Sequence, residues 1–180
     1  LRDPSSVYAM SSEVTPESAP KWAVVTYEFP ELHGRPPVKL TWYDGAKKPS
    51  PELVKQTGLP GNGVIVIGDK DTLYVPSYWG TGSFVSGATI EDFKNIPQSL
   101  PRLPDFDKNH YQEWINACKG GPKALSNFDY SGPMTEAVLL GNVAIRTGQR
   151  IEWNAEQLKV TNLPEANRFI QAVYREGWNL

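Results

Sequence analysis

"KWAVVTYEFP" (21–30) decides the fold class. Ala23, Val25, Tyr27 and Phe29 alternate with Trp22, Val24, Thr26 and Glu28. That period of two, in residues that suit a pleated surface, predicts a strand with one apolar face and one mixed face. Downstream, "PPVKLTWYDG" (36–45) repeats the pattern. Val38, Leu40 and Trp42 oppose Lys39, Thr41 and Tyr43, and Asp44–Gly45 marks a turn. Upstream, "VYAMSSEV" (7–14) reads as a further strand. Strands of this kind suit a mostly antiparallel sheet with one face packed on helices.

Beyond residue 45 the same reading continues. "KKPSPELVKQTGLPGNG" (47–63) is a loop with one short helical turn, and "GVIVIGDKDTLYVP" (63–76) is a hairpin around "GDKD". "SYWGTGSFVSG" (77–87) reads as a turn-rich surface or cleft segment. Thr89 and Asp92 have capping-box spacing. "NIPQSLPRLPDF" (95–106) is extended and proline-rich, the best available place for a boundary, yet the chain reads as one domain over 1–180.

Helices come late. One spans about 106–118, with His110, Trp114, Ala117 and Cys118 along one side and Tyr111 and Ile115 bordering it; Cys118 reads as a small buried hydrophobe. A second is expected over 133–147, with Pro133 at its first position. Met134, Ala137, Val138, Gly141, Ala144 and Ile145 recur there at helical spacing, while Thr135, Asn142 and Arg146 form a polar stripe. "QRIEWNAEQLKV" (149–160) returns to strand character, and "NLPEANRFIQAVYREGW" (162–178) reads as a helix capped by Asn162 and Glu165. Its expected buried stripe is Ala166, Phe169, Ile170 and Val173. Strands first and helices mostly later give an α+β class: a large, mostly antiparallel open sheet with helices on one face.

The bulk properties narrow the function. Net charge is −2, and the 18 basic residues are scattered, too dispersed for nucleic-acid binding. No apolar run approaches the roughly 20 residues of a membrane-spanning helix. One cysteine and two histidines, His33 and His110, argue against a zinc site and an internal disulfide. There is no G-x-G-x-x-G after a strand, no phosphate-binding loop and no G-x-S-x-G elbow. The chain opens on Leu1 with no signal-like segment, so it reads as a processed chain or an excised domain, and its single cysteine does not exclude export.

Glu136 is the one acid placed on an apolar helix face, beside Leu140 and Val143. Two readings stay open at this point. A first-turn carboxylate gains from unpaired amides and the helix dipole; alternatively it faces a ligand. His110 is either a satisfied core or interface histidine or a cleft group. Tyr78, Trp79, Tyr111 and Trp42 are amphipathic rings that suit a sugar-like ligand or a core and interface equally. Asp129 and Ser131 are most simply turn and cap formers.

"KWAVVTYEFP", "PPVKLTWYDG", "NFDYSGPMTEAVLLGNVAIRTGQRIEWNAE" and "LKVTNLPEANRFIQAVYREGW", in this order and spacing, resemble the C-terminal domain of the Gfo/Idh/MocA oxidoreductases. That is the glucose–fructose oxidoreductase and inositol dehydrogenase group, and the resemblance is strongest to a long-chain bacterial subgroup abundant in planctomycetes. It implies a large open sheet with helices on one side and a homodimer or higher oligomer through the other. It implies a parent enzyme with a Rossmann domain that holds NAD or NADP and usually carries a catalytic lysine, followed by a histidine near the start of the second region, just before the sheet. This chain lacks all of these, so the resemblance gives it no catalytic residue, no cofactor and no metal. It does imply a small polyhydroxylated substrate, sugar or polyol, with Glu136, Tyr130, His110, Tyr78 and Trp79 as pocket candidates. Alternatives are a stand-alone binding or structural module of the same fold, and a domain of an NAD-dependent glycoside hydrolase.

Overall fold

The computed structural model describes residues 1–77, 80–103, 106–171 and 173–178. They form two compact units, one of residues 1–47 with 123–180 and one of residues 48–122. The second is an insertion within the first. The proline-rich stretch 95–106 lies inside the inserted unit, not at its edge.

In the first unit, β1 (Ser6–Ser11), β2 (Ala23–Phe29), β3 (Val38–Asp44), β7 (Ile151–Asn154) and β8 (Lys159–Val160) form an antiparallel sheet of order β3-β2-β1-β7-β8. The alternation over 23–29 does what it predicts. Val7, Val25, Tyr27 and Ile151 share one face through the pairs Val7↔Tyr27, Ala9↔Val25 and Val7↔Ile151. Helix α2 (Phe128–Thr147) packs on that face with Leu140, Val143 and Ala144, and Trp153, Val160 and Ala166 complete the core. Burying a leucine- or isoleucine-sized side chain contributes about 1.5–3 kcal/mol, so this one face holds the unit together. Tyr27 lies under α2, its hydroxyl donating to the Val138 carbonyl at 3.4 Å, and burial pushes its pKa up to about 12.

The opposite face is open and mixed. It carries Tyr8, Met10, Val24, Thr41 and Tyr43, with Met10 60 % exposed. Arg150 Nη2 donates to Glu28 Oε2 at 2.6 Å, and Ser6 Oγ donates to the same oxygen at 3.0 Å. Those bonds, Arg150 first, hold the Glu28 carboxyl below its ordinary range.

In the inserted unit, β4 (Val64–Ile67), β5 (Thr72–Val75) and β6 (Ser83–Phe84) form a small antiparallel sheet, with α1 (Phe106–Cys118) and 3-10 turns at Pro51–Val54 and Ile90–Phe93. The expected capping box is present between Thr89 and Asp92.

Three expectations need correction. α2 begins at Phe128, not Pro133. Asn127 caps it by accepting from the Asp129 N–H at 3.0 Å, so Pro133 lies inside the helix. The helix expected over 162–178 is only a 3-10 turn at Pro164–Phe169. Asn162 does not cap it, because its side chain bridges elsewhere, accepting from Glu152 N and donating to Arg150 O. Ala166 is buried as expected, but Val173 is 99 % exposed. On α1, His110, Trp114 and Cys118 are exposed, so that side of the helix forms no core among the described residues and Cys118 is not a buried hydrophobe.

Candidate functional site

α2 starts where Asn127 caps it and stops at Gly148, whose φ of +63° is a left-handed conformation that glycine adopts freely. Between these ends, Thr135, Leu139, Asn142 and Arg146 recur at helical spacing along one stripe. With Phe128 they line one side of a groove of about 660 Å³. Leu158, Phe169 and Ile170 also line it, and the buried Leu140, Val143 and Trp153 close its base. Leu158 sits in the β7–β8 turn with φ +47° and is 57 % exposed.

Glu136 belongs to this groove. It is half-buried, and its Oε1 accepts from Trp153 Nε1 at 2.7 Å. The bond is a consequence of sequence. Ile151 and Trp153 alternate on the buried face of β7, and a buried indole N–H requires an acceptor. Because α2 starts at Phe128, Glu136 stands about two turns inside it, out of reach of the unpaired N-terminal amides. The capping role is therefore overturned. The carboxylate is anchored by a tryptophan from the sheet and lines a cavity.

The other polar groups of the lining differ in what they have left to offer. Arg146 is committed: Nη1 donates to the Thr15 and Pro16 carbonyls at 3.0 and 3.1 Å, and Nη2 to Pro16 at 3.0 Å. Ser131 Oγ donates back to Ser126 and Asn127 carbonyls at 2.8 and 2.9 Å. Glu136 holds Trp153 through one oxygen, leaving the second carboxylate oxygen for a donor from outside.

Of the pocket candidates Glu136, Tyr130, His110, Tyr78 and Trp79, Glu136 is the only one among the described residues that lines the groove. Tyr130 is on the same helix but 64 % exposed and outside the lining. His110 is on α1 in the inserted unit, exposed, its ring 4.0 Å from that of Tyr111. Tyr78 and Trp79 lie outside the described residues. Trp153, Thr135 and Leu139 were not singled out as site residues. A strand tryptophan on the buried face, whose N–H needs a partner, was the available signal.

A smaller concavity of about 430 Å³ lies among Ser5, Ser6, Arg150, Glu152, Asn154 and Thr161. Backbone bonds inside it, Trp153 N to Ser5 O and Thr161 N to Glu152 O at 2.9 Å each, occupy much of its polar capacity. Among the described residues, no three His, Cys, Asp or Glu side chains gather as a metal site, and no helix is long and apolar enough to cross a membrane. The chain matches no family model and no curated protein.

Proposed function

We propose that this chain is the substrate-binding and dimerisation domain of an NAD(P)-dependent oxidoreductase of the Gfo/Idh/MocA type, acting on a sugar, polyol or related compound and inactive in isolation. The observation that carries the reading is the anchored carboxylate. Glu136, half-buried and fixed by Trp153, lines a groove on the helix side of an antiparallel sheet. A carboxylate held in this way accepts hydrogen bonds from hydroxyl groups with little reorganisation, which is how a domain positions a polyhydroxylated substrate for chemistry done elsewhere. The resemblance supports it further, since the four stretches that carry it include β2, β3, α2, β7 and β8.

The groove does not fit the dinucleotide. Its charged lining is Glu136, which repels a pyrophosphate, and Arg146, whose guanidinium already serves two backbone carbonyls. In this reading the cofactor and the catalytic lysine belong to a Rossmann domain, and this chain supplies orientation alone. Titration calorimetry with NAD and NADP should therefore show no saturable binding to the chain; micromolar binding by either would overturn the assignment. The mixed open face, with Met10 and Tyr43 exposed, is the surface through which the domain pairs. Sedimentation should report a dimer, and a stable 20.0 kDa monomer at about tens of micromolar would remove the dimerisation half of the reading.

A further inference from the structure

We infer that the α2 groove takes a neutral, hydroxylated ring that carries an apolar substituent, an alkyl or aryl glycoside, and not a bare sugar. The inference rests on reading the groove as the substrate site and adds the class of substrate. Two properties of the lining conflict for any simpler ligand. Leu139, Leu158, Phe169 and Ile170 present apolar surface. A free sugar, hydroxylated around its rim, would leave that surface facing water. Glu136 pulls the other way. A purely apolar occupant would bury its second oxygen with no donor, which is costly for a charged group.

An occupant must therefore be apolar over most of its length and bring donors at one place. The charge of the lining selects the donors. Glu136 and Arg146 together make the groove formally neutral, so it does not call for an ammonium head. Thr135, adjacent to Glu136 and also in the lining, has a hydroxyl that both donates and accepts, which complements another hydroxyl better than a cation that only donates. The volume of about 660 Å³ is in the range of clefts that enclose small organic ligands.

The test uses phenyl β-D-glucopyranoside, glucose, anisole and phenethylammonium, titrated separately into the whole chain and followed by calorimetry and by Trp153 indole N–H shifts. The glycoside should bind saturably, at least about tenfold tighter than glucose or anisole, and move the Trp153 signal. Glu136→Gln keeps an oxygen for Trp153 while removing the charge, and should weaken the glycoside about five- to tenfold while leaving anisole, which has no donor, unchanged. Leu139→Ser, at a position 55 % exposed and so tolerant of change, should weaken the glycoside and anisole together. Glucose binding as tightly as the glycoside would overturn the inference, as would preference for phenethylammonium, or no saturable binding by any probe. None of these outcomes touches the NAD and NADP titrations, so failure here leaves the broader assignment to be judged on its own result.

Discussion

A methyl group at position 141 would collide with Tyr27 Oη and stand 3.3 Å from Val25 Cγ1. Gly141 is thus the point where α2 approaches the sheet closely enough for the tyrosine to reach the Val138 carbonyl. Tyr27 is only 7 % exposed, so its rigid ring has nowhere to swing. Gly141→Ala gains about 1 kcal/mol of helix preference but overpacks the core at a cost of about 1–3 kcal/mol. The expected net effect is a lower melting temperature. Adding Tyr27→Phe should recover most of it, because the nearest remaining ring atom, Cζ, is 3.2 Å away. A Gly141→Ala protein that melts higher than the parent would refute this packing. On the other face, Glu28 has its pKa lowered by bonds from Arg150 and then Ser6. A carboxylate depressed by folding contributes stability above its unfolded value, about 4.3 for Glu, and loses it as pH falls through the lower folded value. Melting followed from pH 6 downward should therefore fall on the acid side, and Glu28→Gln should flatten that limb. An unchanged acid slope in the variant would mean the bond from Arg150 contributes nothing.

α2 carries the lesson about what sequence patterns contain. Its buried body was legible, because Ala137, Gly141 and Ala144 recur at a helical period and Leu140 and Val143 flank them. Its start was not. Pro133 is a better first-turn residue than an interior one, so the pattern points to a later origin. The competing signal, Asn127 before Asp129, wins because the Asn side chain satisfies an orphan amide and Ser131 bonds back to Ser126 and Asn127. That shift moves Glu136 from the first turn to the groove, and with it the meaning of the carboxylate. Its partner Trp153 is on another element, and no local pattern reveals such a pairing. The strands were more legible. In β2 and β3 alternation and turn residues agree, so local and tertiary preferences point the same way. At 162–178 they disagree: the apolar spacing is helical, but Asn162 ties β7 to the loop and Asn167 accepts from Val160 N at 2.8 Å, committing both side chains to the sheet's end. Because Pro133 cannot donate, the turn before it couples weakly to the body of α2. Asn127→Ala should remove a cap typically worth about 0.5–2 kcal/mol and speed amide exchange over 128–132, with 137–147 little changed. Equal acceleration along the whole helix would mean it opens as one unit.

Across the whole molecule, the core is unevenly divided. The main cluster, from Val7 through Tyr27, Leu140, Ile151 and Trp153 to Ala166, lies entirely within residues 1–47 and 123–180. Among the described residues of the inserted unit, Val54 and Tyr74 are its buried hydrophobics, and the Tyr74 hydroxyl is buried with no hydrogen-bond partner. β4 is an edge strand with Val64, Val66 and Ile67 each more than half exposed, and α1 exposes Tyr111 and Trp114. A segment of this size with so thin a core rarely holds more than about 3–5 kcal/mol by itself. Among the described residues, the strands of the first unit's sheet and the lining of its groove all belong to residues 1–47 and 123–180. Replacing residues 48–122 with a Gly/Ser linker long enough to join Lys47 to Lys123 should therefore leave a protein that melts cooperatively. It should keep the indole N–H shift of Trp153 bonded to Glu136. The excised segment 48–122 should instead show a broad, non-cooperative transition and fast amide exchange outside the β4–β5 hairpin. The reverse outcome, a deletion protein that loses its cooperative melt while the excised segment keeps one, would place the stability of the chain in the inserted unit and overturn this division.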